Sequence, residues 1–341
     1  MKLGETFQYW RGFQKVRSII RGYRPSADMG HHPFPGVVQV QTINACNAAC
    51  IMCPYGKTPQ PKLGGRMDEA LWEKIVTEIS ERPEVETFIP MLQNEPFLDQ
   101  KILQRVASFK EKSKGPVHVE LVTHGGLLTD ESIEMIRRSK LDVLSISVDS
   151  IHKEVYEKIR VGLNYDRVME NIQKLLNAKL PTRIIIRMVR QAANRNEVQE
   201  FVAHWKSLGL ETVMWDVTNR SGALPHFDKL EVPREELPWY SLVSDALVSK
   251  VMPHCPIPFY MTSILHNGDM LVCGFDWLHE SIIGNVREHT ISELWNSDKM
   301  REIRQLHYKK RAANIEMCSN CSIWQKTWRS KKTTSEKEPD Q

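Results

Sequence analysis

From residue 37 the chain alternates short apolar, β-branched runs with amphipathic stretches, six times in succession, and this rhythm leaves few folds open. The runs are VVQVQTI (37–43), TFIPML (87–92), VHVELVT (117–123), DVLSISV (142–148), TRIIIRMV (182–189) and ETVMWDV (211–217). Between them the spacing predicts helices over 68–82, with Leu71, Ile75 and Ile79 four apart, over 99–112, with Leu103, Val106 and Phe109, and over 129–138, 165–178 and 195–208. Asp68, Asp130 and either Asn194 or Asn196 are the expected N-caps, since short oxygen-bearing side chains satisfy the first free amides of a helix. Repeated right-handed strand–helix crossovers curl a parallel sheet into a barrel. The expected class is therefore α/β, a partial (β/α)6 barrel. Six strands do not close an eight-stranded circle, so one side stays open, and functional groups belong at the carboxyl ends of the strands.

After about residue 218 the rhythm breaks in NRSGALPHFDKLEVPREELP, rich in turn formers, which predicts a domain boundary near residue 225. The expected division is an N-terminal flank over 1–36, the barrel over 37–225, a cysteine-bearing domain over 226–329 and a disordered polar tail over 330–341. Within the first 24 residues Phe7, Trp10, Phe13, Val16 and Ile20 fall to one side of a helix, read as a flank helix packed on the barrel ahead of a membrane-surface helix. The 46 Lys and Arg exceed the 42 Asp and Glu by a dispersed +4, which argues against a nucleic-acid partner. No apolar run reaches the ~20 residues that span a bilayer, and the basic start lacks the apolar core of a signal peptide. A cytoplasmic location is expected, where thiols stay reduced. Seven cysteines, three early and four late, then point to metal rather than to disulfides.

The early three, Cys46, Cys50 and Cys53, lie in NACNAACIMCPYG, immediately after the first strand. A four-iron cube used only for electron transfer takes a thiolate at each corner. Three thiolates leave one iron open to a small chelating molecule. Zinc more often takes four ligands in paired Cys-x2-Cys hooks, although His31 and His32 stand before the first strand. The Cys-x3-Cys-x2-Cys spacing resembles the motif of the radical S-adenosylmethionine (radical SAM) superfamily. The resemblance implies that the open iron binds the amino and carboxylate groups of SAM, and that reductive cleavage yields a 5'-deoxyadenosyl radical able to remove hydrogen from an unactivated carbon.

The resemblance runs across all six strands. LQNEP (92–96) stands where the family has a Gly-Gly-Glu-Pro-like motif that receives the SAM ammonium; Glu95 is retained, while Gln93 and Asn94 replace the glycines. In SISVDS the family's SAM-binding serine is Ser147, and in YEKIRVG Arg160 matches an arginine that meets the SAM carboxylate, with a surface ion pair as the alternative. Met52 occupies the place of an aromatic residue that packs near adenine. The implied SAM-binding set is thus Met52, Asn94, Glu95, Ser147 and Arg160.

The late cysteines are Cys255, Cys273, Cys318 and Cys321. A hairpin tip is expected at HNGD (266–269), with Cys273 on the returning strand. On spacing alone, four thiolates with one Cys-x2-Cys hook could hold zinc. The order Cys-x12-Gly-x4-Cys, then CSNC, with IIGNVREHTISELWNSDKMREIRQLH between, resembles the SPASM and Twitch extensions of radical SAM enzymes. It implies one auxiliary [4Fe-4S] cluster held by all four, beside the SAM cluster.

With no cysteine left over to donate hydrogen to a substrate radical, the implied outcome is an oxidation, with the auxiliary cluster taking one electron. The spacing resembles that of SAM-dependent aminocyclitol dehydrogenases, and so suggests a small sugar-like carbinol as substrate and a flavodoxin- or ferredoxin-type electron donor. Maturation of a ribosomally made peptide is the alternative; the 36 residues before the first strand are too few for the leader-binding domain such enzymes often carry. A non-catalytic iron–sulfur electron carrier is the third reading. Among substrate-facing candidates, Arg187, Arg190, Asp216 and Arg220 follow strands five and six, each equally readable as a solvated charge or barrel salt bridge. Trp215, Trp239, Trp277 and Trp295 are expected in the core, and no general base stands out.

Overall fold

The computed structural model describes residues 33–55, 57, 65–237 and 254–328. The expected N-terminal helix, the polar tail and Trp239 lie outside the described residues. The six expected strands form as β1 (Val37–Val40), β2 (Thr87–Ile89), β3 (His118–Thr123), β4 (Val143–Ser147), β5 (Arg183–Arg190) and β6 (Glu211–Asp216), each parallel to its neighbour in the order β6-β5-β4-β3-β2-β1. The intervening helices are α1 (Glu69–Ser80), α2 (Ile102–Lys112), α3 (Asp130–Ser139), α4 (Lys153–Ile159), α5 (Tyr165–Asn177) and α6 (Val198–Ser207). The sheet does not stop at six strands. It continues past β1 through β7 (Met261–Ile264), parallel to β1, and then through antiparallel β8 (Asp269–Leu271) and β9 (Ile282–Asn285).

Side chains alternate across a strand, so register decides what each face carries. Leu121, Leu144, Ile146, Ile186 and Met188 lie on the face covered by the helices and are fully or nearly fully buried in the main core. There Phe88 packs on Phe109, with ring centroids 4.5 Å apart, and on Trp72 at 5.9 Å. The opposite face is polar at its centre. Glu120 accepts a hydrogen bond from Ser145 Oγ at 3.1 Å and another from Arg187 Nη2. Val37, Ile89 and Tyr260 form a separate small apolar cluster there.

Local capping follows the sequence in one place and departs from it in two. Asp68 caps α1, its Oδ1 accepting from Leu71 N at 2.9 Å. At α3 the cap is Thr129 rather than Asp130, because Thr129 and Ser132 bond each other's backbone amides reciprocally. At α6 it is Glu197, without a side-chain cap bond. Asn196 is exposed, and Asn194 is drawn into the strand ends instead, its Nδ2 donating to Asp149 O at 2.7 Å and to Val189 O at 3.0 Å.

The C-terminal segment is riveted to α1 by polar contacts. Asp68 pairs with Arg287, and Lys74 Nζ donates to Arg287 O at 2.9 Å. Glu78 accepts from Ile291 N at 2.8 Å and Ser292 N at 2.9 Å, at the start of a helix over Ile291–Trp295. The expected hairpin tip forms between β7 and β8, where Gly268 takes φ +98. Cys273 stands two residues past β8, not on it, since that strand ends at Leu271.

Candidate active site between two cysteine sets

The early cysteines lie on the loop that leaves β1, and backbone bonds from three directions fix its path. Glu95 N donates to Ala45 O at 2.9 Å, Ala49 N to Val161 O at 2.8 Å, and Ile51 N to Ile159 O at 2.9 Å. Gly162, at φ +90, supplies a left-handed turn beside Asn47 and Ala48 that other residues adopt only with strain. Lys57, which the sequence did not single out, donates through Nζ to Cys50 O at 2.8 Å and Ile51 O at 3.0 Å. Burial pushes the Cys46 thiol up to about 12, with Glu95, Cys50 and Cys53 adding to the rise, and it raises Cys50 as well. Bare thiolates are therefore costly in this pocket, which suits a positively charged metal centre that deprotonates and neutralises them.

Glu95 is 3% exposed at the carboxyl end of β2. It accepts from Thr123 Oγ1 at 2.6 Å, His124 N at 3.0 Å and Phe97 N at 3.2 Å. Burial nevertheless pushes its carboxyl up to about 7 against these donors. His124 lies 3.3 Å from the same carboxylate, yet burial and then the charge of Arg160 hold its pKa down at about 3, so the imidazole is neutral. Gly126 N donates to His124 Nδ1 at 3.0 Å, which leaves the proton on Nε2, directed to Asn47 Oδ1 at 2.9 Å. His124 thus ties β3 to the cysteine loop.

Arg160 is 8% exposed and is not a surface ion pair. Its Nε stands 2.8 Å from the fully buried Asp149 carboxylate, and its Nη1 is 3.8 Å from Cys50 Sγ. Asp149 also accepts from Val189 N at 2.7 Å through its other oxygen. Asp149 lies in the SISVDS stretch, where no local pattern signals this pairing. The structure thus brings Cys46, Cys50, Cys53, Glu95 and Arg160 together. Met52 is buried in the core beside them, and Ser147 is half-buried at the end of β4. Asn94 Oδ1 accepts from Leu92 N at 3.0 Å, while its buried Nδ2 has no hydrogen-bond partner.

Gln93, the other glycine replacement, turns the opposite way. Its Nε2 donates to Asp276 O at 2.9 Å and its Oε1 meets His279 Nε2 at 3.1 Å, joining the end of β2 to the loop after Cys273. The four late cysteines line one cavity with Ser221, Phe275, His307, Met317 and Trp324. Burial raises Cys255 to about 12 and Cys273 and Cys318 well above the ordinary thiol range. Among the described residues no three His, Cys, Asp or Glu side chains gather tightly enough for a single metal ion. Four sulfurs lining one cavity are a donor set that can hold a four-iron cube. His307, absent from the sequence reading, lies with Nε2 at 3.5 Å from Cys318 Sγ.

Of the weaker candidates, Arg187 pairs with Glu120, and Arg190 pairs with Asp216 through two bonds of 2.7 and 3.1 Å. Trp277 and Trp295 are buried as expected. Trp215 is not: it is 46% exposed, because β6 is the edge strand and its inward face has no opposing wall among the described residues.

Two stretches of the chain match known protein families. Residues 40–204 match the radical SAM superfamily, and residues 255–322 match SPASM, an iron–sulfur cluster-binding domain. The chain is 27% identical over 74 residues to the S-adenosyl-L-methionine-dependent 2-deoxy-scyllo-inosamine dehydrogenase of Niallia circulans, a match covering 22% of this chain and 30% of that protein. It spans about half or less of the length of the curated relatives it matches. The fold is similar to that of BtrN in complex with AdoMet and 2-DOIA, with a TM-score of 0.57, 17% identity and coverage of 84% of this chain and 92% of that one. It is also similar to that of Streptococcus suis SuiB bound to precursor peptide SuiA, with a TM-score of 0.63, 14% identity and coverage of 93% and 75%. Residues 40–204 thus form a radical SAM domain and residues 255–322 a SPASM iron–sulfur cluster-binding domain, and the cofactors these two domains imply are [4Fe-4S] clusters and SAM.

Proposed function

We propose that this chain is a SAM-dependent oxidoreductase that converts a carbinol of a sugar- or aminocyclitol-like metabolite to a ketone. The observation that carries the reading is the cavity lined by all four late cysteines, fixed through Gln93 to the strand end that bears Glu95. When bound, the cofactors supply one-electron cleavage of SAM, hydrogen-atom abstraction from carbon and an acceptor for the second electron. Cys46, Cys50 and Cys53 would hold the first cluster, and Cys255, Cys273, Cys318 and Cys321 the second.

In this reading the protein's own groups bind and orient. Glu95 receives the SAM ammonium and Arg160 its carboxylate, with Asp149 holding the guanidinium in place. Asn94 offers its free amide, Ser147 its hydroxyl and Met52 an apolar edge. The Glu120, Ser145 and Arg187 network gives the lumen a polar floor suited to hydroxylated substrates. Overall, one C–H and one O–H bond are lost and a C=O double bond is gained; hydrogen goes to the adenosyl carbon, a proton to solvent and one electron to the acceptor. A flavodoxin- or ferredoxin-type donor would supply the initiating electron.

The test is anaerobic incubation of the reduced, reconstituted enzyme with SAM and a panel of aminocyclitols and sugars. The reading predicts 5'-deoxyadenosine and a product two mass units lighter than its substrate, in equal amounts. 5'-Deoxyadenosine without any two-electron oxidised product would sink it. A second reading, modification of a peptide, draws on the edge position of β6 and the exposed Trp215, since an extended peptide can add to an open strand. A precursor peptide that stimulates SAM cleavage when the sugar panel does not would reverse the order.

A further inference from the structure

Of four charged side chains on or just after β5 and β6, three are satisfied within the barrel: Arg190 and Asp216 by each other, and Arg187 by Glu120. Arg220 is different. Among the described residues it has no carboxylate partner, and its Nε is buried without a hydrogen bond. It stands on the loop after β6, half-buried, with its guanidinium 5.4 Å from the centroid of the Phe275 ring. Phe275 lines the auxiliary cavity two residues after Cys273, and the neighbouring Ser221 lines the same cavity with its Oγ also buried and unbonded. On its other side Arg220 lies within electrostatic reach of Cys53. It therefore stands between the two cysteine sets.

The backbone holds it there at some cost. Arg220 and Ser221 both take the left-handed conformation, φ 51 and 55, which disfavours residues with a Cβ and persists only where surrounding contacts enforce it. Those contacts are present. Asn219 Oδ1 accepts from Ser322 N at 2.9 Å, and its N donates to Ser322 Oγ at 3.1 Å. A planar guanidinium laid on a ring keeps its forked edge free for an oxyanion. A simple counter-charge for the first cluster is already provided by Arg160, which is fixed to Asp149 and Cys50.

We infer that Arg220 docks an oxyanion of the substrate, a carboxylate or a phosphate, in the space between the two cysteine sets, so that the substrate is an acidic metabolite rather than a neutral polyol. This rests on the oxidoreductase reading for the word substrate, but its test needs no turnover. Anaerobic calorimetric titration of the reconstituted, SAM-loaded protein with glucuronate, inorganic phosphate and myo-inositol separates the cases. At least one of the two anions binds and myo-inositol binds more weakly; the better anion identifies the group. R220Q lowers that anion's affinity tenfold or more at unchanged iron content. If R220Q loses iron, R220K is the decisive variant: it keeps the charge but not the fork, and its anion affinity falls several-fold. The inference is overturned if neither anion binds, if myo-inositol binds as well as the anions, or if an iron-replete variant binds the anion as tightly as the unmodified protein. A shifted auxiliary-cluster potential in R220Q with anion binding unchanged would also overturn it, leaving Arg220 a counter-charge. Anion binding that depends on Arg220 while no oxidised product forms would retain this inference and remove the oxidation.

Discussion

At the scale of single residues the site is governed by burial acting on charge. Glu95 has an ordinary value of 4.5 and is raised to about 7 by burial. A carboxyl with a raised folded value binds more protons folded than unfolded, so its contribution makes the SAM-free protein less stable as pH rises from 4.5 through about 7. Binding a cation beside it demands the carboxylate. Below about pH 7, SAM binding then takes up the work of expelling that proton, and affinity should fall toward about tenfold per pH unit, levelling above about 7. Equilibrium dialysis of labelled SAM between about pH 5.5 and 8 measures this. E95Q should bind more weakly with a flat profile; an unchanged profile would detach Glu95 from SAM. The Arg160–Asp149 pair behaves as a buried pair should. Asp149→Asn or Arg160→Met alone is expected to cost about 3–5 kcal/mol, read as a lowered urea midpoint of the metal-free protein, with the double variant recovering part of the loss.

At the scale of elements, a loop contact clamps the last cysteine pair to the barrel. Asn219 reaches from the β6 loop to Asn320 O at 2.5 Å and Ser322 N at 2.9 Å, on either side of Cys321. Asn219→Ala removes two side-chain hydrogen bonds worth about 1–3 kcal/mol together, and should leave the barrel folded while the auxiliary cluster loses iron to a chelator several-fold faster. Equal release rates from both proteins would show that the clamp does not protect that cluster. The strands and most helices were legible in the sequence, because period-2 and period-3.6 apolar patterns survive in the surface each element buries. The caps were less so. Thr129 outcompetes Asp130 because a reciprocal pair with Ser132 satisfies two amides, and Asn194 is diverted by a tertiary contact to Asp149 that no local rule contains.

At the scale of the whole molecule, a nine-stranded sheet carries both cysteine sets on one frame, because β7 pairs with β1 across 224 residues of sequence, as the bond from Ser263 to Gln39 shows. The sequence reading ended the barrel at six strands: it expected the β7–β8 hairpin, but nothing local signals that β7 pairs with β1, and β9 is too short and too lightly patterned to announce itself. The seven cysteines stood out in the sequence because metal chemistry constrains residue type and spacing, whereas Glu95 and Arg160 were pointed to by the family resemblance alone. Asp149, His124 and His307 were not, because their roles depend on neighbours brought from other strands and helices. Trp215 was misplaced for the same reason: an inward position buries a side chain only when another wall faces it. No helix among the described residues is long and apolar enough to cross a membrane.

Two separate cysteine sets are expected to hold two cubes. Iron and sulfide analysis of the anaerobically reconstituted protein, beside a variant with Cys46, Cys50 and Cys53 changed to Ala, tests it most directly. The expected result is about eight irons per chain, falling to about four in the variant, with the spectrum of one cube retained. About four irons in the unmodified protein with stoichiometric zinc, or none left in the variant, would contradict it.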